Sequence, residues 1–197
     1  AYRKARKRKT KKQEVQKFTQ SLNENLRALQ KELEEETYQP QRLEQFLIKD
    51  PKIRTIHKAA FRDRVVHHAL CNIIAPLFEK KFILDSYANQ EEKGTLKAVE
   101  RYECFLSKVT KNKTKRAYVL KADIAQYFPS IDHNILLQIV KRTIQESKVL
   151  NLIEKILKNY SSEKGMPLGN LTSQFLANVY LHELDYFVKQ KLRTKYY

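Results

Sequence analysis

Residues 117–133, AYVLKADIAQYFPSIDH, constrain the fold of this chain more than any other stretch. Tyr118, Leu120, Ala122 and Ile124 recur at period two, which predicts one face of a strand. Val119, Lys121 and Asp123 fall on the other face, so a carboxylate stands where the strand runs out. The aromatic pair Tyr127-Phe128 and the turn Pro129-Ser130 follow, and Ser130 or Asp132 is placed to cap a helix beginning near Asn134. A carboxylate among basic residues supplies the hard oxygen donor that Mg²⁺ requires. Capping or a salt bridge is the alternative reading of Asp123.

A second stretch, KGMPLGNLTSQFLANVYLHELD at 164–185, sets a glycine-punctuated turn before a long apolar-periodic helix. Phe175, Val179, Leu184, Phe187 and Val188 line that helix and read as core. Between the two stretches, Ile135, Leu136, Ile139, Val140 and Ile144 predict one helix, and Leu152, Ile153, Ile156 and Leu157 another.

Upstream, Val15, Phe18, Leu22, Leu26, Leu29 and Leu33 mark an amphipathic helix ending near Glu36, broken by Tyr38-Gln39-Pro40. Leu47–Ile56 predicts a hairpin with a Pro-centred turn, and Lys49, Lys52 and Arg54 gather near its tip. Such cations suit phosphate, arginine as a planar fork and lysine as a point charge; a solvated basic hairpin is the alternative. A helix over Arg62–Phe78 is expected to end near Pro76. His67 and His68 are adjacent, so they face different sides and make a poor metal pair. A polar loop, Ser86–Thr95, introduces the helix Leu96–Val109, and Lys108–Arg116 forms a basic turn.

The net charge of +17 favours polyanionic partners, with an RNA or duplex backbone foremost. Eight of the first twelve residues are cationic, AYRKARKRKTKK, and read either as a solvated tail or as an RNA-contacting arm. No apolar run approaches the roughly 20 residues that cross a bilayer, and no apolar segment follows the basic N-terminus as a secretory signal needs. No membrane partner is expected. Cys71 and Cys104 fall in helical patterns and read as free thiols in a reducing, cytoplasmic compartment.

Together the two stretches resemble the reverse transcriptase palm. The first resembles the motif that carries the family's first catalytic aspartate, and the second the motif beneath template and incoming nucleotide. Most reverse transcriptases have Gln-Gly-x-x-x-Ser-Pro there; this chain has Leu168-Gly169-Asn170-Leu171-Thr172-Ser173-Gln174. The aliphatic-Gly-x-x-x-Ser-Gln form resembles the reverse transcriptases of diversity-generating retroelements, as does FRDRVVHHALCNIIAPLFEKKFILDSYANQEEKGT at Phe61–Thr95. A group II intron or retron-like reverse transcriptase is the runner-up, disfavoured by Ser173-Gln174.

The resemblance implies an α+β right-hand polymerase fold: a basic arm at 1–12, fingers at 13–116 and partial palm at 117–197. It implies RNA-directed DNA synthesis with two Mg²⁺ or Mn²⁺ ions, Asp123 as the catalytic ligand and the Ile124 carbonyl beside it. Lys52, Arg54, Arg62, Arg64, Phe128, Leu168 and Gly169 are assigned by resemblance to the incoming dNTP, with Phe128 blocking a ribose 2′-hydroxyl. Lys93, Gly94, Asn170, Ser173 and Gln174 are assigned to template and primer. Leu168 in place of glutamine implies error-prone copying opposite template adenines. A template RNA, its cDNA or primer and a small basic accessory protein are the implied partners. The family's other two catalytic aspartates lie in a Tyr-x-Asp-Asp turn that these 197 residues lack, as they lack a thumb. The chain alone is therefore expected to be inactive. A noncatalytic nucleic-acid-binding module with a polymerase-like fold is the reading from a different functional class.

Overall fold

Helix α4, Phe61–Glu79, passes through both hydrophobic cores of the molecule and is the element around which the rest packs. The computed structural model describes residues 1–197, about half of them helical. In chain order the elements are α1 (Tyr2–Ala5), α2 (Gln13–Gln20), α3 (Leu22–Glu34), β1 (Glu44–Ile48), β2 (Arg54–Lys58) and α4. Then follow α5 (Thr95–Val109), α6 (Tyr127–Ser130), α7 (His133–Lys141), α8 (Ser147–Lys158) and α9 (Leu171–Tyr186). A π-turn, Phe187–Lys191, extends α9.

The N-terminal half of α4 offers Phe61, Val65 and Val66 to Val15, Leu29 and Tyr38. Its C-terminal half offers Leu70, Cys71, Ile74 and Phe78 to Leu136 and Val140 of α7, Ile153 and Leu157 of α8, and Phe175, Leu176 and Val179 of α9. Each fully buried aliphatic side chain contributes about 1.5–3 kcal/mol, so this second cluster is the main store of stability. The helix was expected to stop near Pro76, yet it continues to Glu79. Phe78 is buried there, edge-on to Phe175 with ring centres 5.7 Å apart, and that burial offsets the hydrogen bond Pro76 cannot make.

The basic N-terminus is not a loose tail. Ala5 is buried, the Tyr2 ring packs against Phe18 and Phe61, and Tyr2 Oη shares a hydrogen bond with Thr19 Oγ1 at 2.7 Å. The lysines and arginines around it remain at the surface, so their charge is held in place.

The expected hairpin forms as β1 and β2, antiparallel, with Glu44 opposite Lys58 and Ile48 opposite Arg54. It is the molecule's one sheet, two strands wide. The strand expected at 118–124 does not form: these residues are extended without partners, with Tyr118 88% and Leu120 92% exposed. A strand needs a neighbour to satisfy its N–H and C=O groups, and none of the 197 residues lies alongside. The helix after it appears as expected. Asp132, rather than Ser130, is its cap, one carboxylate oxygen accepting from the N–H groups of Asn134 at 3.0 Å and Ile135 at 3.1 Å.

Candidate active site

The turn Glu163–Asn170 is where the two sequence motifs and the hairpin meet. On one side the end of the first motif binds it through backbone. Met166 N–H donates to Phe128 O at 3.0 Å, Gly165 N–H to Ile131 O at 2.8 Å and His133 N–H to Glu163 O at 2.9 Å. On the other side β2 is docked: His57 N–H donates to Leu168 O at 2.9 Å, and Ala59 N–H to Asn170 Oδ1 at 3.1 Å. The His57 imidazole lies edge-on to Tyr160 with centres 4.8 Å apart, and burial holds its pKa below the usual histidine value.

Gly169 is what lets the hairpin come so close. Its φ is +107°, and a Cβ there would lie 2.6 Å from Ile56 Cγ2. Met166 is buried beneath the turn, while Leu168 is half-buried and Gly169 is exposed. The turn thus presents Leu168 and Gly169 at the surface between the hairpin and the first motif. At the hairpin tip, Lys49, Lys52 and Arg54 are exposed and enter no ion pair with the chain's own carboxylates. They are available to an external anion.

Phe128 is half-buried, its ring 5.9 Å from that of Tyr127 in an edge-on pair. Tyr127 anchors this segment to α9, donating its hydroxyl to Ala177 O at 2.6 Å. Burial, with Tyr180 and Asp185 nearby, pushes that phenol's pKa up. A cleft of about 420 Å³ opens between α7, α9 and this segment, with Ile124, Tyr127 and Ile135 in its wall.

Several residues that the sequence placed at the nucleotide or template are engaged elsewhere. Arg62 pairs with Glu32 and lies over the Tyr38 ring. Arg64 pairs with Glu14 at 2.7 Å and covers Phe61. Both guanidinia brace the N-terminal helices against α4, so neither is free for a triphosphate. Lys93 donates to the carbonyls of Leu84 and Ser86, both at 2.8 Å, closing its own loop, and Gly94 starts α5 with open space where a Cβ would be. Asn170 and Ser173 are buried, at 4% and 3% exposure, which leaves neither side chain facing a template. The Asn170 side chain clasps the hairpin base instead. Gln174 is half-buried on the first turn of α9.

Asp123 is exposed, in the extended segment that ends at Ile124. No group of three His, Cys, Asp or Glu residues is arranged to hold a metal ion anywhere in the molecule. The residues present therefore do not fit a two-metal centre, and a single aspartate holds Mg²⁺ weakly against its hydration shell. Sequence reasoning overlooked His57, Tyr160 and His133 around the turn. Their one signal was position, beside the hairpin's second strand, the glycine turn and the Asp132 cap.

The family described as reverse transcriptase (RNA-dependent DNA polymerase) matches residues 47–197, the hairpin through both motifs. The chain belongs to the reverse transcriptase family. Reverse transcriptases as a family generally use Mg²⁺. Among its relatives is the group II intron-encoded protein LtrA of Lactococcus lactis subsp. cremoris, 28% identical over 184 residues, covering 88% of this chain and 29% of that protein. Protein YkfC of Escherichia coli K12 is 26% identical over 148 residues, covering 71% and 38%. The nuclear intron maturase 1, mitochondrial, of Arabidopsis thaliana is 26% identical over 110 residues, covering 54% and 14%. The chain thus spans well under half the length of these relatives.

Proposed function

We propose that this chain is the fingers and partial palm of an RNA-directed DNA polymerase of the diversity-generating retroelement type, copying a template RNA into cDNA. The observation that carries this is the convergence at Glu163–Asn170 of a hairpin with free cations, the segment after Asp123 and the half-buried Leu168 beside the exposed Gly169. Lys52 and Arg54 neutralise the triphosphate of an incoming dNTP, Arg54 by its fork and Lys52 as a point charge. Gly169, exposed on the turn, presents backbone at the surface where the nucleotide approaches, and Phe128 supplies bulk against a ribose 2′-hydroxyl. Leu168 lies beside the nascent base pair and offers no hydrogen bond, which lowers discrimination and favours error opposite adenine.

Asp123 and the Ile124 carbonyl are one part of a metal site whose other carboxylates are not among these residues. Held together with those further carboxylates, two Mg²⁺ or Mn²⁺ ions would supply charge stabilisation for phosphoryl transfer. A template RNA, a primer and a small basic accessory protein are the partners in this reading, and the compartment is cytoplasmic. The Leu168 to Gln174 pattern supports the retroelement branch. A group II intron enzyme is the second reading, supported by the relatives' names.

Template-dependent dNTP incorporation by the product of the natural gene tests the reading. Asp123→Asn should abolish synthesis while leaving the fold intact, since Asp123 is exposed and makes no hydrogen bond within the chain. Synthesis that survives this substitution would remove Asp123 from the metal site. Sequencing of the cDNA separates the branches, because errors confined to adenines belong to the retroelement reading.

A further inference from the structure

His133 takes no part in the nucleotide, template or metal roles above, yet it is 4% exposed and sits where the two motifs touch. Its Nε2 is 2.7 Å from the Gly165 carbonyl, 32 residues away in sequence. A carbonyl only accepts, so the ring hydrogen is on Nε2, and Nδ1 is buried without a partner. A leucine would fill such a site without the unpaired Nδ1 but would strip the Gly165 carbonyl of its donor, so packing alone does not account for histidine here.

Gly165 explains what the hydrogen bond does. With φ at +90° it occupies a conformation only glycine takes easily, and glycine is the residue whose peptide planes turn most freely. Backbone bonds hold its N–H to Ile131 O, but its carbonyl has no backbone donor. The imidazole is the group that orients that carbonyl, and with it the start of the turn leading to Leu168 and Gly169.

We propose that His133 is a positioning residue whose Nε2–H clasps the Gly165 carbonyl and so sets the Leu168–Gly169 turn relative to the first motif. The proposal rests on the reading of that turn as part of the template and nucleotide site. His133→Gln keeps an amide N–H within reach of the carbonyl, whereas His133→Leu keeps the bulk and loses the donor.

Three measurements on the 197-residue chain test it: the ¹⁵N signature of the His133 tautomer, amide exchange at Met166 and His57, and affinity for an RNA-template/DNA-primer duplex. Nε2–H should be observed. His133→Leu should speed exchange at both amides and weaken duplex binding by about two- to tenfold, the weight of one neutral hydrogen bond, and His133→Gln should restore both. An Nδ1–H tautomer, or a folded leucine variant with wild-type exchange, overturns the clasp. If the leucine variant does not fold, the glutamine variant decides, since unprotected Met166 and His57 amides in it overturn the proposal equally. Wild-type chain that binds the duplex no better than a random polycation of equal charge sinks the reading of the site, while exchange at the two amides still judges the clasp.

Discussion

Replacing Gly169 with alanine should detach the hairpin from the second motif. The new Cβ would stand 2.6 Å from Ile56 Cγ2, closer than real Cβ atoms approach a neighbour, on a backbone at φ +107°. The conformational strain costs about 1–3 kcal/mol. The overlap costs about as much again, because Ile56 is β-branched with few rotamers to retreat into. A total of about 2–6 kcal/mol is a large share of the roughly 5–15 kcal/mol that holds a domain together. The molecule's easiest relief is to let β2 lift, which breaks the His57 N–H to Leu168 O bond and the Ala59 N–H to Asn170 Oδ1 bond. Urea unfolding gives the total, and hydrogen exchange at His57 and Ala59 locates it. Ile56→Ala removes the clashing atom, so in a double-mutant cycle the Gly169→Ala cost should fall by about 1–3 kcal/mol in its presence, with the φ strain remaining. Additive costs within about 0.5 kcal/mol, with His57 and Ala59 still protected in Gly169→Ala, would show that the hairpin is not seated on this glycine.

Leu168→Gln in the natural gene product should lower misincorporation opposite adenine by the equivalent of roughly 1–3 kcal/mol while synthesis continues; an unaltered error spectrum in sequenced cDNA would make Leu168 a packing residue. Changing the surface cations Arg3, Lys4, Lys7 and Arg8 to glutamine should reduce the slope of log K against log salt for RNA by about 0.7 for each phosphate no longer neutralised, without moving the melting temperature, because Tyr2 and Ala5 still anchor the arm. The same slope in both proteins means the arm touches no phosphate. His67 is buried, and its pKa is lowered to about 4 by desolvation, with smaller effects from His68 and Arg64. Its folded value lies below the unfolded value of about 6.5, so the unfolded chain binds the extra proton and stability falls as pH drops from about 6.5 to about 4. That loss is about 3 kcal/mol, and His67→Leu should flatten the stability profile across this window.

Periodicity along the chain was enough to find the helices of the larger core. In the smaller one it read a single helix from Val15 to Glu36 where Ser21 separates α2 from α3, and it did not find α1. Leu136, Ile139 and Val140, or Ile153, Ile156 and Leu157, repeat at helical spacing because one face of each helix must leave water, and that requirement is written locally. The hairpin was legible for a similar reason: β-prone ends flank a proline turn, and its register follows from a few neighbouring residues. The segment 118–124 reads as a strand by the same local rule and is not one, since pairing needs a neighbour that alternation does not supply.

Charge told less than position. Arg62 and Arg64 look, in sequence, like Lys52 and Arg54, yet the first two meet Glu32 and Glu14 and the second two meet solvent. A cation's role depends on which carboxylate the fold brings to it, here one 30 and one 50 residues away. Asn170 carries the type of side chain that reads nucleic acid, but it is turned 111 residues back to an amide of the hairpin base. The sequence by itself therefore determined the family, most of the helices and the chemical types present at the site. The tertiary structure alone decided which polar groups are spent within the fold, because a hydrogen bond or ion pair depends on distance in space, which local spacing does not encode.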